Sequence, residues 1–134
     1  DNIKKTTNLL LDNIKKAKKK IIGYGAATKG NIVLNHCNIG SDKISLICDE
    51  NEEKFGRYTP GTNIKIISKK EMRKINPDYL LVLIWSFKSE VIKQEIKYIK
   101  KGGKLIFHLP FLHVVDKHNY IEHLNENFEA FSYK

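Results

Sequence analysis

Apolar positions along this chain switch between two periods, and the switches divide it into alternating helices and strands. From residue 2 to residue 19, the apolar or small side chains Ile3, Thr7, Leu10, Ile14 and Ala17 recur at steps of four and three, with lysines opposite. That spacing predicts one face of an amphipathic helix. Lys20 to Tyr24 follows as a short buried strand. A glycine turn and a helix to about Cys37 come next, and Asn38 and Gly40 close that helix.

A second strand, Lys43 to Cys48, has ISLIC at its heart and ends at Asp49. Glu50 to Asn63 (ENEEKFGRYTPGTN) is an irregular loop in which Pro60-Gly61 suits the centre of a type II turn. Ile64 to Ile67 reads as a short strand. Ser68 then caps a helix containing Glu71 to Lys74, with Glu71 at the capping-box position. After Pro77 and Asp78 comes the most hydrophobic strand, YLLVLI at 79–84. A continuous apolar run of this kind predicts burial on both faces, at the centre of a parallel sheet. Trp85 ends it, and Ser86 caps a helix over 87–101 with Phe87, Val91, Ile92, Ile96 and Ile99 on one side. Gly102 and Gly103 stop that helix before the strand KLIFHL, 104–109, which ends at Pro110. The tail, 111–134, is less regular, with a helix near 117–126 and an added strand at 128–132.

These alternations predict the fold class: a single α/β, Rossmann-like three-layer domain over residues 1–134. Its sheet is mainly parallel, with about five strands and helices on both faces. Ligands of such sheets bind outside the strand C-termini. That edge gathers Tyr24, Gly25, Asp49, Trp85 and His108.

Candidate chemistry concentrates in KIIGYGAATKGNIVLN, residues 20–35. Gly23 lets the chain leave the strand sharply, and Gly25 lets bare backbone approach a ligand. The N–H groups near Ala26 to Gly30 open a helix without intrahelical partners, so an anion is welcome there. Lys29 adds a full charge one turn in. The dinucleotide fingerprint G-x-G-x-x-G is only partly met, because Thr28 stands where the third glycine belongs and the next is Gly30. The same glycines also suit a strand–helix turn that binds nothing. Asp49 or Glu50 stands roughly 20 residues on, where Rossmann domains bond a ribose hydroxyl; a polar residue also simply closes a strand. Arg57 and Tyr58 on the following loop suit a phosphate or a base, or loop packing. Trp85 and Tyr24 suit stacking on a base or sugar, or the core.

Composition narrows the classes. The 134 residues are 41% hydrophobic and 29% charged, as in one soluble globular domain with a real core. No apolar run approaches a membrane span, and no signal-peptide pattern opens the chain. Without an initial methionine, the sequence reads as a piece of a longer chain or as a processed one. Cys37 and Cys48 have no metal spacing, and a reduced cytoplasm is expected. The net charge of +9 includes seven lysines between Lys4 and Lys20. No helix-turn-helix, zinc or aromatic RNA-binding pattern accompanies it, so solvated helix faces are expected rather than a nucleic-acid partner. His108, His113, His118 and His123 recur every five residues, a step that rotates around a helix, and no metal site is expected. No nucleophile elbow, P-loop or paired-carboxylate pattern occurs.

Four linked segments resemble a known family. GYGAATKGN at 23–31, GRYTPGTNI at 56–64, PDYLLVLIW at 77–85 followed by Lys88 and Glu90, and GGKLIFHLP at 102–110 come in one order. In that order and context they resemble the C-terminal domain of the sugar C-methyltransferases, over about residues 1–110. The resemblance implies a parent polypeptide that methylates a carbon of a deoxy-sugar carried on a nucleoside diphosphate. It places S-adenosylmethionine, zinc and the catalytic base in other parts of that polypeptide, so no cofactor and no catalytic residue is expected here. The partners it implies are a nucleotide sugar and the methyltransferase domain of the same chain. The nucleotide-sugar residues carried over are Tyr24, Gly25, Ala26, Lys29, Asn31, Arg57, Pro60, Gly61 and Trp85. After Pro110 the family continues P-x-P-like, whereas this chain reads PFLHVVDKHNY. Two other readings stay open: a free-standing NAD-binding or regulatory module using Asp49, and a structural docking domain without ligand.

Overall fold

All six strands carry side chains that alternate between two separate apolar cores, and this places them in the middle layer of three. The computed structural model describes residues 2–125. Strands β1 (Ile21–Tyr24), β2 (Leu46–Asp49), β3 (Lys65–Ser68), β4 (Tyr79–Val82) and β5 (Lys104–Phe107) run parallel, and β6 (His113–Val115) pairs antiparallel to β5. Their order is β3-β2-β1-β4-β5-β6. The chain therefore winds outward one way from β1 through β3, then returns to the other side of β1 with β4. The gap between the ends of β1 and β4 is the topological switch point, where open α/β sheets bind ligands.

Helices α1 (Asn2–Lys16) and α2 (Thr28–His36) cover one face. There Leu11, Ile14, Leu34 and Cys37 pack with Ile47, Leu81 and Ile106. Helices α3 (Lys69–Ile75), α4 (Lys88–Gln94) and α5 (Ile96–Lys100) cover the other, where Met72, Val91, Ile92 and Ile99 meet Ile22, Tyr24, Leu80 and Phe107. A short α6 (Tyr120–Leu124) joins this second face. The α/β, mainly parallel, Rossmann-like architecture is the one expected.

Local signals act as read. Ser68 Oγ accepts from Glu71 N at 3.1 Å and caps α3. Asn38 takes a left-handed conformation (φ 56°) while Ile39 N donates to Leu34 O at 2.8 Å, which ends α2 by satisfying a late carbonyl.

Several expectations need correction. The sheet has six strands among the described residues: the five expected parallel ones and β6. β6 is only three residues long, too short to show a period, and it pairs antiparallel to β5 after the chain reverses. β2 starts at Leu46 rather than Lys43, since Lys43 N and Ile44 N both donate to Gly40 O in a turn. The paired part of the 79–84 run stops at Val82. The helix expected over 87–101 is two helices broken at Glu95, whose buried carboxylate is held by Arg73 and Tyr24. Ser86 is not a cap; it lies in a 3₁₀ turn, Trp85–Phe87, that leads into α4 with no side-chain cap bond. The tail helix spans 120–124, and the strand expected at 128–132 lies outside the described residues.

Candidate functional site

The glycine turn is built by close approach. A Cβ on Gly23 would lie 2.9 Å from Ile47 Cγ1, and one on Gly25 would lie 2.6 Å from Ile84 Cγ2. Gly25 also has φ 94° and donates its N–H to Cys48 O at 2.8 Å, which locks the turn to β2. The third glycine of the fingerprint is missing at Thr28, yet its packing role is filled. A Cβ on Gly30 would stand 2.7 Å from Leu83 Cβ, so only glycine lets α2 lie this close to the end of β4.

Asp49 stands at the end of β2 as expected, but its carboxylate turns inward. Oδ2 accepts from Ala26 N at 2.8 Å and Oδ1 from Asn51 N at 2.8 Å. Lys54 Nζ lies 3.8 Å from Oδ2 and donates to Ala26 O at 3.0 Å. A carboxylate of the chain itself therefore occupies the amide at the apex of the turn.

Asn31, Pro60 and Gly61 do come together, in a tie between α2 and the loop. Asn31 Nδ2 donates to Pro60 O at 3.0 Å, and Thr62 Oγ1 donates to Asn31 Oδ1 at 3.1 Å. Asn35 Nδ2 reaches the same Pro60 carbonyl at 3.4 Å, and Gly61 (φ 77°) leaves room for Asn35 Oδ1. Lys29 and Arg57 are exposed, and Trp85 is half-buried. Tyr24 belongs to the core: its hydroxyl donates to Glu95 Oε2 at 2.9 Å, and Glu95 holds Arg73 through two 2.8 Å bonds. Burial, and then the Glu95 charge, push the Tyr24 hydroxyl well above its ordinary pKa, so it stays protonated. Its ring carries Lys69 Nζ at 4.7 Å rather than an open stacking face.

Beside the turn, on the α4 face, lies a cleft of about 390 Å³ at the switch point. Tyr24 and Gly25 form its floor, Ile84 and Phe87 one wall, and Asp49 and Glu50 the other side. Lys69 crosses it, donating to Glu50 Oε1 at 2.7 Å and Gln94 Oε1 at 3.0 Å. Sequence reasoning missed Lys69, Ile84, Phe87, Glu90 and Gln94. Ile84 and Glu90 stand in one of the four family segments; the others are signalled by position alone, which becomes readable once the strand order is known.

Two histidine features sit farther along the edge. Lys88, 1% exposed, has Nζ 2.9 Å from both His113 Nε2 and His123 Nδ1. His113 Nδ1 lies 2.7 Å from Phe111 O, so that nitrogen donates and Nε2 accepts from Lys88. This ties β6 and α6 to α4. Among the described residues, no three His, Cys, Asp or Glu side chains gather in a metal-holding group. His108, at the end of β5, is 2% exposed with neither ring nitrogen bonded. Burial, and secondly nearby His113, pull its pKa down to about 4. The unfolded chain takes this proton near pH 6.5 while the folded chain resists until about 4. Stability present above pH 6.5 is therefore lost as pH falls, by about 2 kcal/mol between pH 7 and pH 5. From pH 7 to pH 5 the wild type should lose more stability than His108→Leu by this amount in denaturant melts; equal losses would refute it.

The strand order, the close-packed glycine turn and the cleft at the switch point define a Rossmann-like α/β domain with a ligand-sized site. A family model described as the C-methyltransferase C-terminal domain matches residues 1–110, and the chain belongs to that family. It is 36% identical over 92 residues to the C-methyltransferase NovU of Streptomyces niveus, a match covering 69% of this chain and 22% of that protein. The chain thus corresponds to about a fifth of that relative. Among solved structures, a UDP-D-quinovosamine 4-dehydrogenase from Vibrio fischeri superposes with a TM-score of 0.47 and 17% identity, over 78% of this chain and 84% of that one. Among the described residues, no helix is long and apolar enough to cross a membrane.

Proposed function

We propose that this chain is the substrate-holding domain of an S-adenosylmethionine-dependent C-methyltransferase acting on a nucleoside-diphosphate-linked deoxy-keto-sugar. The observation that carries the reading is a ligand-sized cleft at the switch point of a domain from a C-methyltransferase family. Exposed Lys29 and Arg57 would face the diphosphate, and Trp85 the nucleoside. The Asn31–Pro60–Gly61 tie would keep the loop bearing Arg57 against α2. No residue of the chain is assigned a catalytic role, and the methyl donor, zinc and base would belong to the partner methyltransferase domain. Gripping the remote end of a substrate still contributes to rate, because it fixes the reacting carbon against the donor.

Asp49 favours this reading over an NAD module, since its carboxylate is engaged with Ala26 and Asn51 rather than open to a ribose. The docking-domain reading draws on Phe87 and Phe111, which are 56% and 62% exposed. A thermal-shift titration with dTDP, UDP, GDP, CDP, NAD and S-adenosylmethionine separates the three. One nucleoside diphosphate should raise the melting temperature, and S-adenosylmethionine should not. A shift with NAD alone would favour the NAD module, and silence with all six the docking domain. Lys29→Ala should weaken the responding diphosphate about tenfold, the worth of one charge-assisted bond; an unchanged affinity removes Lys29 from the site.

A further inference from the structure

The switch-point cleft is rich in acceptors and poor in positive charge, although the chain as a whole carries +9. Asp49, Glu50 and Glu90 line it against a single ammonium, Lys69. That ammonium is already matched, with Glu50 at 2.7 Å and Gln94 at 3.0 Å. The backbone donor at the apex of the turn, Ala26 N, is held by Asp49 Oδ2 at 2.8 Å. A phosphate entering here would meet three carboxylates, with Asp49 and Glu50 already holding Lys54 and Lys69, and it would have to displace them to gain a cation.

A ring bearing hydroxyls meets the opposite situation. Carboxylates accept O–H bonds and gain from doing so. Ile84 and Phe87 offer an apolar wall for the C–H face of such a ring. The volume of about 390 Å³ falls within the range of small-molecule sites.

Resting on the reading that this edge holds a nucleoside-diphosphate sugar, we infer that the cleft takes an uncharged, hydroxyl-bearing ring of that ligand and leaves the diphosphate outside. The ring is the hexose or the ribose. Glu50 and Glu90 accept its hydroxyls, and Phe87 covers it. The glycine turn of this domain thus differs from a dinucleotide turn, where the pyrophosphate itself sits at the apex.

The test is calorimetric titration of the chain with dTDP-glucose, dTDP and inorganic pyrophosphate, using the wild type, Gln94→Trp, Glu90→Gln and Lys29→Ala. Gln94 and Glu90 are exposed, and a melting curve of each variant checks that it folds. Filling the cleft with Gln94→Trp should lower dTDP-glucose affinity tenfold or more and leave pyrophosphate unchanged. Glu90→Gln should act in the same direction, about threefold, since a neutral amide is the weaker acceptor. If dTDP keeps its affinity in Gln94→Trp, the ring is the hexose; if dTDP falls in step with dTDP-glucose, it is the ribose. Loss of pyrophosphate binding in Gln94→Trp would put phosphate in the cleft and overturn the inference. So would unchanged affinity for all three probes while Lys29→Ala still weakens them, an outcome that spares the nucleotide-sugar reading. Failure of the wild type to bind any probe, together with silence of UDP, GDP and CDP in the thermal-shift titration, would remove both.

Discussion

Gly25→Ala should cost the domain about 3 kcal/mol, from roughly 1–2 for the backbone and roughly 1–3 for overpacking. Two independent penalties meet at this position. An L residue is strained at φ 94°, and its Cβ would stand 2.6 Å from Ile84 Cγ2 at the end of the central strand. Gly56 supplies the control. It has φ 80°, but a Cβ there would meet nothing within 4 Å, so Gly56→Ala bears the backbone penalty alone, about 1 kcal/mol. The difference between the two variants in urea melts isolates the packing at the turn. Equal losses would mean that Ile84 yields freely and that the turn is less rigid than its contacts indicate. Because Gly25 and Ile84 both line the cleft, the variant should also distort the site.

Removing Arg73 should be comparably damaging. Glu95 is 0% exposed, and both its carboxylate oxygens receive guanidinium N–H groups at 2.8 Å. In Arg73→Ala the carboxylate stays buried with only the Tyr24 hydroxyl and loses its charge partner. Stranding a buried charge costs about 3–5 kcal/mol, and the half-exposed position of Arg73 places the expected loss near 3. In a domain of this size, a loss of about 3 kcal/mol lowers the melting temperature by about 10 °C. Adding Glu95→Gln to Arg73→Ala should recover much of the loss, because a neutral amide no longer needs the cation. A double variant as unstable as Arg73→Ala alone would place the damage in packing instead of charge. Tyr24→Phe removes one hydrogen bond and leaves the ion pair intact, so its cost should be about 1 kcal/mol.

This buried network explains why one expected helix is two. The apolar positions from Phe87 to Ile99 fit a single helical stripe, and nothing local marks a break. The break occurs at Glu95 (φ −104°, ψ 15°), where the chain carries a carboxylate toward Arg73, 22 residues earlier, and Tyr24, 71 residues earlier. Partners so distant leave no trace in the periodicity of the helix itself.

The site was legible in part for the same reason. Gly23, Gly25 and Asp49 were readable because a strand, a glycine turn and an acidic strand end each leave a short signature. The ordering of those pieces also carried the family resemblance. Their use was not readable. That Asp49 would bond the Ala26 amide, that Gly30 would replace the missing glycine at 28, and that Lys69 would bridge Glu50 to Gln94 all depend on distances across elements.

What the amino-acid sequence determined by itself was most of the elements: periods of two and of three to four, the Ser68 cap, the Asn38 stop and the long apolar run of the central strand. Each is an interaction among residues within a turn or two of one another, so neighbouring letters suffice to specify it. The tertiary structure alone decided the strand order β3-β2-β1-β4-β5-β6, the antiparallel β6 and the cleft that opens where the winding reverses. Those follow from which apolar faces bury one another across the whole chain. That choice also brings the carboxylates, Lys69 and the aromatic wall of the cleft into one place.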